Sequence, residues 1–319
     1  MSEAEKDRAI KDTYHGESGF GSIFQTYKDA KAKVPSITHS YVKNWFSKNI
    51  DRTKAEGRGQ NSYVAQRPYQ EYQIDIFFIT DKQMQHQEFR YGLSCIDIFS
   101  KYACVVPIKS RDHEDIMNGM LKAFEYMGKQ PDSVMTDPES SLFKKEVAVE
   151  FEKMGVHHII TQSKPQFAER FHRTFRGLFH KMLEYDRKKL DRRIKGKTNP
   201  NIQWQTYIPR ILNKYNNQMV SSATGMTPND ARKEPNQSSV KASMELRAMR
   251  GRKYPTINVG DIVRVHRKKI LGDKEFVGNF RRGEHEVLSI SENFGQKFYR
   301  LDDRREYIRS DITLWKKNV

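Results

Sequence analysis

The sequence predicts an α/β core with a helical module before it and a small all-β unit after it. Three apolar runs rich in β-branched and aromatic residues, 72–80, 89–99 and 102–108, read as strands. Helix-period segments alternating with short strands follow them. After residue 258, short strand signals return, separated by Gly and Asp turns. A chain of 319 residues has room for two or three such units, each with its own core. The boundaries expected are 1–66 for the helical module and its linker, 67–235 for the α/β core, 236–252 for a second linker and 253–319 for the β unit.

Charge narrows the class of partner. Lys and Arg number 57 and Asp and Glu 40, a formal net charge of +17. An excess of that size asks for a polyanion, and nucleic acid is the commonest. Region 176–197 carries nine basic against three acidic residues, and 250–319 carries 17 against 10. Hydrophobic content of 36% and a mean hydropathy of −0.84 fit several small cores under a charged surface. Both cysteines, Cys95 and Cys104, fall in expected core strands, so neither a disulfide framework nor a multi-cysteine zinc site is expected. No apolar run approaches a membrane span, and the first residues lack a signal-peptide core. An intracellular protein without a membrane partner is the expectation.

Residues 1–20 are polar and read as loose. Ile23, Phe24, Tyr27 and Ala30 recur at helical spacing until Pro35-Ser36 breaks the pattern. Thr38 suits the N-cap of a second helix, with Val42, Trp45 and Phe46 on one face. Two short helices across a tight turn make either a helix-turn-helix-like module that enters a DNA groove or a plain helical hairpin. Residues 51–67 lack periodicity and read as linker. The tight turn at Ser100-Lys101 makes the second and third strands antiparallel neighbours. Asp112 and Asp115 open a helix that carries Ile116, Met120, Ala123, Phe124 and Met127 toward a core. The strand 133–136 follows, then a helix burying Phe143, Val147, Phe151 and Met154, stopped by Gly155. A strand at 156–161 and a basic helix come next. Trp204, Ile208, Ile211, Leu212 and Tyr215 mark a further helix, and residues 233–252 read as a polar bridge. Phe294, Phe298, Tyr299, Tyr307 and Trp315 suit either the core of the β unit or a ligand cage.

Three acidic residues stand out by their settings. Asp75 interrupts the apolar run Ile74-Asp75-Ile76-Phe77-Phe78-Ile79, where a carboxylate is costly unless ionic partners compensate it. Asp137 closes the strand Ser133-Val134-Met135-Thr136, and Glu169 opens the helix Ala168-Glu169-Arg170-Phe171-His172-Arg173-Thr174-Phe175-Arg176. A shared metal ion is the simplest explanation for all three. Spacing i, i+4 and i+7 puts Arg173 and Arg176 beside Glu169, as either a phosphate-contacting face or a solvated basic face.

Family likeness sharpens this reading. The run Cys95-Ile96-Asp97-Ile98-Phe99-Ser100-Lys101-Tyr102, then Thr136-Asp137, then Glu169-Arg170-Phe171-His172-Arg173-Thr174, resembles the catalytic core of DDE retroviral-type integrases. Tyr215-Asn216-Asn217 through Gly225-Met226-Thr227-Pro228 resembles the family downstream, and the flavour is closest to Polinton/Maverick and virophage integrases. The resemblance implies an RNase H-like core and a C-terminal SH3-like barrel, with a chromodomain-like reader as the alternative for the latter. It implies metal-dependent 3′-end processing and strand transfer of element DNA into target DNA. Asp75 would bridge two Mg²⁺ (or Mn²⁺) ions, Asp137 would hold one and Glu169 the other. Arg173, Arg176 and Lys164 would meet DNA beside the site, and Arg264, Arg267, Lys268 and Lys269 would do so on the barrel. Partners would be double-stranded DNA, as element ends and target, and further copies of the chain in a dimer or tetramer. The place of action would be a host nucleus, or otherwise cytoplasm or a viral particle. Many family members carry a His-His-Cys-Cys zinc module near the N-terminus. Here His15 and His39 precede residue 95 without any cysteine, so no zinc is expected.

Two departures from the family pattern stand in the sequence. Asp137 and Glu169 are only 32 positions apart, with the shortening in Gln162-Ser163-Lys164-Pro165-Gln166-Phe167. Val220 stands where the Tyr-Asn-Asn motif is usually followed by His. Asp97 and Asp81 compete for the role of first carboxylate, but Asp97 sits by a turn and suits capping of backbone amides. Two other functions fit the same residues, an RNase H-like nuclease without joining activity and a domesticated, non-catalytic DNA-binding protein.

Overall fold

Strand β1 (Glu71–Phe78) is the middle strand of the core sheet. It pairs antiparallel with β2 (Tyr91–Asp97), which pairs antiparallel with β3 (Ala103–Ile108). On its other side β1 pairs in parallel with β4 (Ser133–Thr136), and β4 with β5 (His157–Ile160), giving the order β3-β2-β1-β4-β5. The structure is a computed structural model that describes residues 2–16, 20–50, 63–79, 87–137, 145–161, 166–194, 203–249, 255–267, 280–293 and 295–317, with only backbone for 145–146 and 189–194. This mixed sheet with its helices is the RNase H-like architecture expected.

Alternation along β1 divides the core into two layers. Tyr72 and Ile74 face α4 (His113–Met127) and α5 (Lys145–Lys153), packing with Ile116, Met120, Phe124, Val147 and Phe151. Phe77 faces the other way, onto α6 (Gln166–Ile194) and α7 (Ile208–Gln218). Along α6 the buried residues Ala168, Phe171, Phe175, Phe179 and Leu183 recur every three or four positions, one apolar stripe of an otherwise charged helix. Gly155 ends the α5 segment at φ +67°, a conformation that favours glycine. Phe143 lies outside the described residues.

The Tyr215-Asn216-Asn217 motif has a structural role here. Asn216 donates from Nδ2 to the Ala103 carbonyl at 2.8 Å and accepts from the Ala103 N–H at 3.0 Å. Ala103 lies on the edge strand β3, so one buried amide closes two groups that the sheet leaves open. Tyr215 packs edge-on against Phe171 of α6, with ring centroids 4.9 Å apart.

Three elements exceed the sequence expectations. The segment read as loose contains α1 (Glu3–Tyr14), started by a capping box in which Ser2 and Glu5 bond reciprocally. Its Ile10 packs with Ala30 of α2 (Ile23–Lys33) and with Val42, Trp45 and Phe46 of α3 (His39–Asn49), making a three-helix unit. Thr38 is the N-cap of α3, accepting from Tyr41 N–H at 3.2 Å. After the short helix α8 (Pro228–Arg232), the polar bridge contains α9 (Gln237–Met249), whose Val240 and Met244 bury against Ala65, Ile98, Phe99 and Ala231. Region 176–197, read as a helix end plus loop, is helical as far as Ile194.

The C-terminal unit is a five-stranded sheet consistent with an SH3-like barrel. It comprises β6 (Ile262–Val265), β7 (His285–Asn293), β8 (Gln296–Leu301), β9 (Glu306–Ile308) and an additional strand, β10 (Ile312–Lys316), in the order β10-β6-β7-β8-β9. Val263, Val265, Val287, Tyr299, Leu301 and Tyr307 form its core, so two of the five aromatics serve packing there. Phe298 instead packs outward with Ile308 against Met135 and Ile159 of the α/β core. Beside that contact Thr161 Oγ1 donates to Asp311 Oδ1 at 3.0 Å, both residues fully buried. Helices α6 and α7 therefore cover β1–β3 on one face of the core sheet, and the barrel covers β4–β5 on that same face. Among the described residues no helix is long and apolar enough to cross a membrane.

Two stability measurements test this account. Asn216→Ala should cost roughly 1–3 kcal/mol in urea unfolding, because it leaves both Ala103 groups unsatisfied, whereas Asn217→Ala should be close to neutral. Burial, with a smaller contribution from His157, pushes the His158 imidazole down to about 4. The unfolded chain takes up that proton near pH 6.5 and the folded chain does not. Stability is therefore complete above pH 6.5 and falls as pH drops toward 4. Comparing unfolding at pH 7 and pH 5 should give a smaller loss for His158→Gln than for the unsubstituted chain.

Candidate active site

Asp75 lies in the middle of β1 with its side chain on the α6 face. The parallel register pairs Glu71 with Ser133, Tyr72 with Val134 and Gln73 with Met135. The same offset places Asp137, one residue past β4, level with Asp75 and on the same face of the sheet. Both carboxylates are half-buried, and Asp75 Oδ1 accepts from the Ile76 N–H at 2.8 Å.

Gln73 brings the third acid to this place. Its Oε1 accepts from the N–H groups of Phe167 at 2.9 Å and Ala168 at 3.3 Å, two of the open donors at the start of α6. Its Nε2 reaches Met135 Sδ of β4 at 3.4 Å. One side chain thus ties together β1, β4 and the N-terminus of α6. Glu169 follows in the first turn of α6 and is exposed, where the helix dipole favours a carboxylate. Arg173 and Arg176 are exposed on the same helix.

His172 was not singled out in the sequence, although it stands one turn from Glu169. It is buried, with its ring 4.8 Å from that of Phe77, and Nδ1 lies 3.6 Å from Asp75 Oδ2. Burial, then Arg176, pushes its imidazole down to about 4, so the contact with Asp75 is not an ion pair at neutral pH. Ser94, the register partner of Asp75, donates its hydroxyl proton to the Asp75 carbonyl at 3.0 Å. A hydroxyl has one proton, so the 2.6 Å bond between Ser94 Oγ and His172 Nε2 is donated by the imidazole.

Asp97 is a turn cap. Its carboxylate accepts from the Phe99 and Ser100 N–H groups and, at 2.5 Å, from Ser100 Oγ. Nearby, burial pushes the Glu71 carboxyl up to about 8 and the Lys101 ammonium down to about 7, each toward its neutral form. Lys101 Nζ donates to the Ile98 carbonyl and lies 3.7 Å from the centre of the Phe167 ring, which further fixes the start of α6.

The three carboxylates offer only oxygen donors, the chemistry of Mg²⁺ or Mn²⁺ rather than of zinc. Asp75 and Asp137 are aligned by register and Glu169 is held on the same face. Among the described residues, however, no group of three or more His, Cys, Asp or Glu side chains lies close enough to hold an ion. Of the expected DNA contacts, Arg264 lies in β6 with its guanidinium 3.9 Å from the Trp315 ring centre, and Arg267 follows β6, half-buried. Lys164, Lys268, Lys269 and Asp81 lie outside the described residues.

Residues 65–164 match the family described as the integrase core domain. The matched segment covers 100 of the 319 residues. It contains Asp75 and Asp137 and stops before Glu169. A solved structure of the simian T-cell lymphotropic virus intasome, in complex with the PP2A regulatory subunit B56 gamma, contains a chain similar to this one. The match has a TM-score of 0.55 at 14% identity, over 93% of this chain and 99% of that one. At that identity the likeness is one of fold. The catalytic core domain of HTLV-2 integrase in complex with magnesium, trimeric form, matches with a TM-score of 0.41 at 20% identity, over 53% of this chain and 99% of that one. Among curated proteins none matches the chain, and neither of these two structures bears on the Polinton/Maverick or virophage flavour.

If Gln73 holds α6 against β1, Gln73→Leu should speed amide exchange at Phe167 and Ala168 by at least tenfold. It should leave exchange at Phe175 and Phe179 nearly unchanged, which site-resolved hydrogen exchange would detect.

Proposed function

We propose that the chain is a divalent-metal-dependent DNA integrase of the DDE type that processes the 3′ ends of element DNA and joins them to target DNA. The observation that carries this reading is the alignment of Asp75 with Asp137 on adjacent parallel strands, with the Glu169 turn docked on the same face by Gln73. The match of residues 65–164 to the integrase core domain supports the class of chemistry.

Phosphodiester transfer needs an activated oxygen nucleophile and neutralisation of charge on the leaving oxygen, which two divalent ions about 4 Å apart supply. Asp75, Asp137 and Glu169 would hold them. Asp75 and Asp137 sit on strands and supply fixed ligands, while Glu169, exposed on the first helical turn, has freedom to swing toward them. His172 and Ser94 fix the backbone and surroundings of Asp75. Arg173 and Arg176, one and two turns along from Glu169, suit the phosphates flanking the scissile bond. Joining two ends to one target asks for at least two such sites, so a homo-oligomer on DNA belongs to the proposal.

Incubation with element-end duplexes and Mg²⁺ or Mn²⁺, scored for joined products as well as nicks, tests the reading. Asp75→Asn, Asp137→Asn and Glu169→Gln should each abolish joining nearly as completely as the triple change, because the three act as a unit. DNA binding should survive in all of them. Nicks without joined products would favour the nuclease, and binding with neither would favour the non-catalytic DNA-binding protein. Wild-type joining by Glu169→Gln would remove that residue from the triad.

A further inference from the structure

The contact between the α/β core and the barrel leaves a cavity of about 570 Å³, within the range of roughly 300–1,000 Å³ common for ligand sites. Its lining is unusual in running through consecutive residues, all four of His157–Ile160 on β5 and all three of Glu306–Ile308 on β9. A sheet face presents every second residue, so consecutive lining means that strand edges bound the space. Both strands are terminal in their sheets.

The directions of the backbone groups follow from the ladders. His157 N–H bonds to Asp132 O and Thr161 N–H to Thr136 O. The odd-numbered residues of β5 therefore point to β4, and His158 and Ile160 point their N–H and C=O groups outward. On the barrel, Leu301 N–H bonds to Arg305 O and Tyr299 is the register partner of Tyr307. Alternation then turns the backbone groups of Glu306 and Ile308 away from β8. Among the described residues two open edges thus border one cavity, with donors and acceptors repeating about every 6.6 Å along each. The floor is apolar, made by Ile159, Phe298 and Ile308. Arg281 and Arg305 line the cavity against the single carboxylate of Glu306.

We propose that this cleft binds an extended, acidic peptide segment of a partner protein, which adds as a strand along the β5 and β9 edges. The backbone repeat matches polypeptide, the floor takes the apolar side chains of alternate residues, and the two guanidiniums favour carboxylates on the others. Nucleic acid would satisfy the arginines but not the row of amides.

The test uses the full chain and a capped, fluorescent hexapeptide of alternating glutamate and valine. Its fully N-methylated counterpart and a single-stranded hexadeoxynucleotide serve as comparison probes. Anisotropy should show the peptide binding, and at least tenfold weaker binding by the N-methylated form. Arg305→Glu should weaken the peptide by a similar factor. So should Ile160→Pro, which removes one outward N–H from an edge strand and leaves the bonds to β4 intact. Amide exchange at His158, Ile160, Glu306 and Ile308 should slow when the peptide binds. Absence of peptide binding, equal affinity for the N-methylated form, or unchanged exchange at these four amides would overturn the proposal. Binding of the hexadeoxynucleotide in place of the peptide would also overturn it and make the cleft a nucleic-acid channel. None of these readouts depends on whether the chain joins DNA, so the two proposals fail separately.

Discussion

One glutamine side chain decides where β1, β4 and the start of α6 meet. Gln73 faces a helix N-terminus whose first amides have no partner within the helix, and it answers two of them with a single carbonyl oxygen. The other end of the same amide touches Met135 of the next strand. Two residues on, at the same face, stands Asp75, so the geometry that satisfies the helix end also sets the first turn of α6 on the sheet face that carries Asp75. Removal of that link would leave buried donors unsatisfied, which gives the arrangement an energetic basis independent of any ion.

The second constraint is the incompleteness of the helical layer. Helices α6 and α7 cover only part of one sheet face, and β4 with β5 would remain open beside the proposed site. Phe298 and Ile308 close that part, and Thr161 with Asp311 fixes it by a fully buried bond between residues 150 positions apart. The barrel is thus a structural part of the core as well as a basic unit in its own right. The candidate site lies along the seam between these two coverings.

What the sequence made legible was local. Asp75 could be found because a carboxylate breaks an apolar run, Thr38 because a hydroxyl precedes a helical period, and the buried stripe of α6 because its aromatics recur every three or four residues. Asp97 was separable from Asp75 because it adjoins a turn. The capping box at Ser2 and Glu5 was also present to be read, and the polarity around it obscured α1. Other features depended on contacts that no local window contains. Nothing near Gln73 announces that it meets Phe167, nothing near Asn216 that it meets Ala103, and nothing in α9 that Val240 finds Phe99. His172 carried a weak signal, its place one turn after Glu169, but its burial against Asp75 is a property of the assembled sheet.

Helix α6 has 29 residues, and at 1.5 Å per residue it measures about 44 Å from end to end. From Glu169 to Lys188 along its axis is roughly 29 Å. Adjacent base pairs of a duplex are 3.4 Å apart, so this stretch corresponds to between eight and nine of them. A duplex laid along the helix with its reacting phosphate at Glu169 would meet the basic C-terminal half most of one helical turn away. The helix would then act as a ruler, setting how much duplex must flank the reacting phosphate before the whole basic face is engaged.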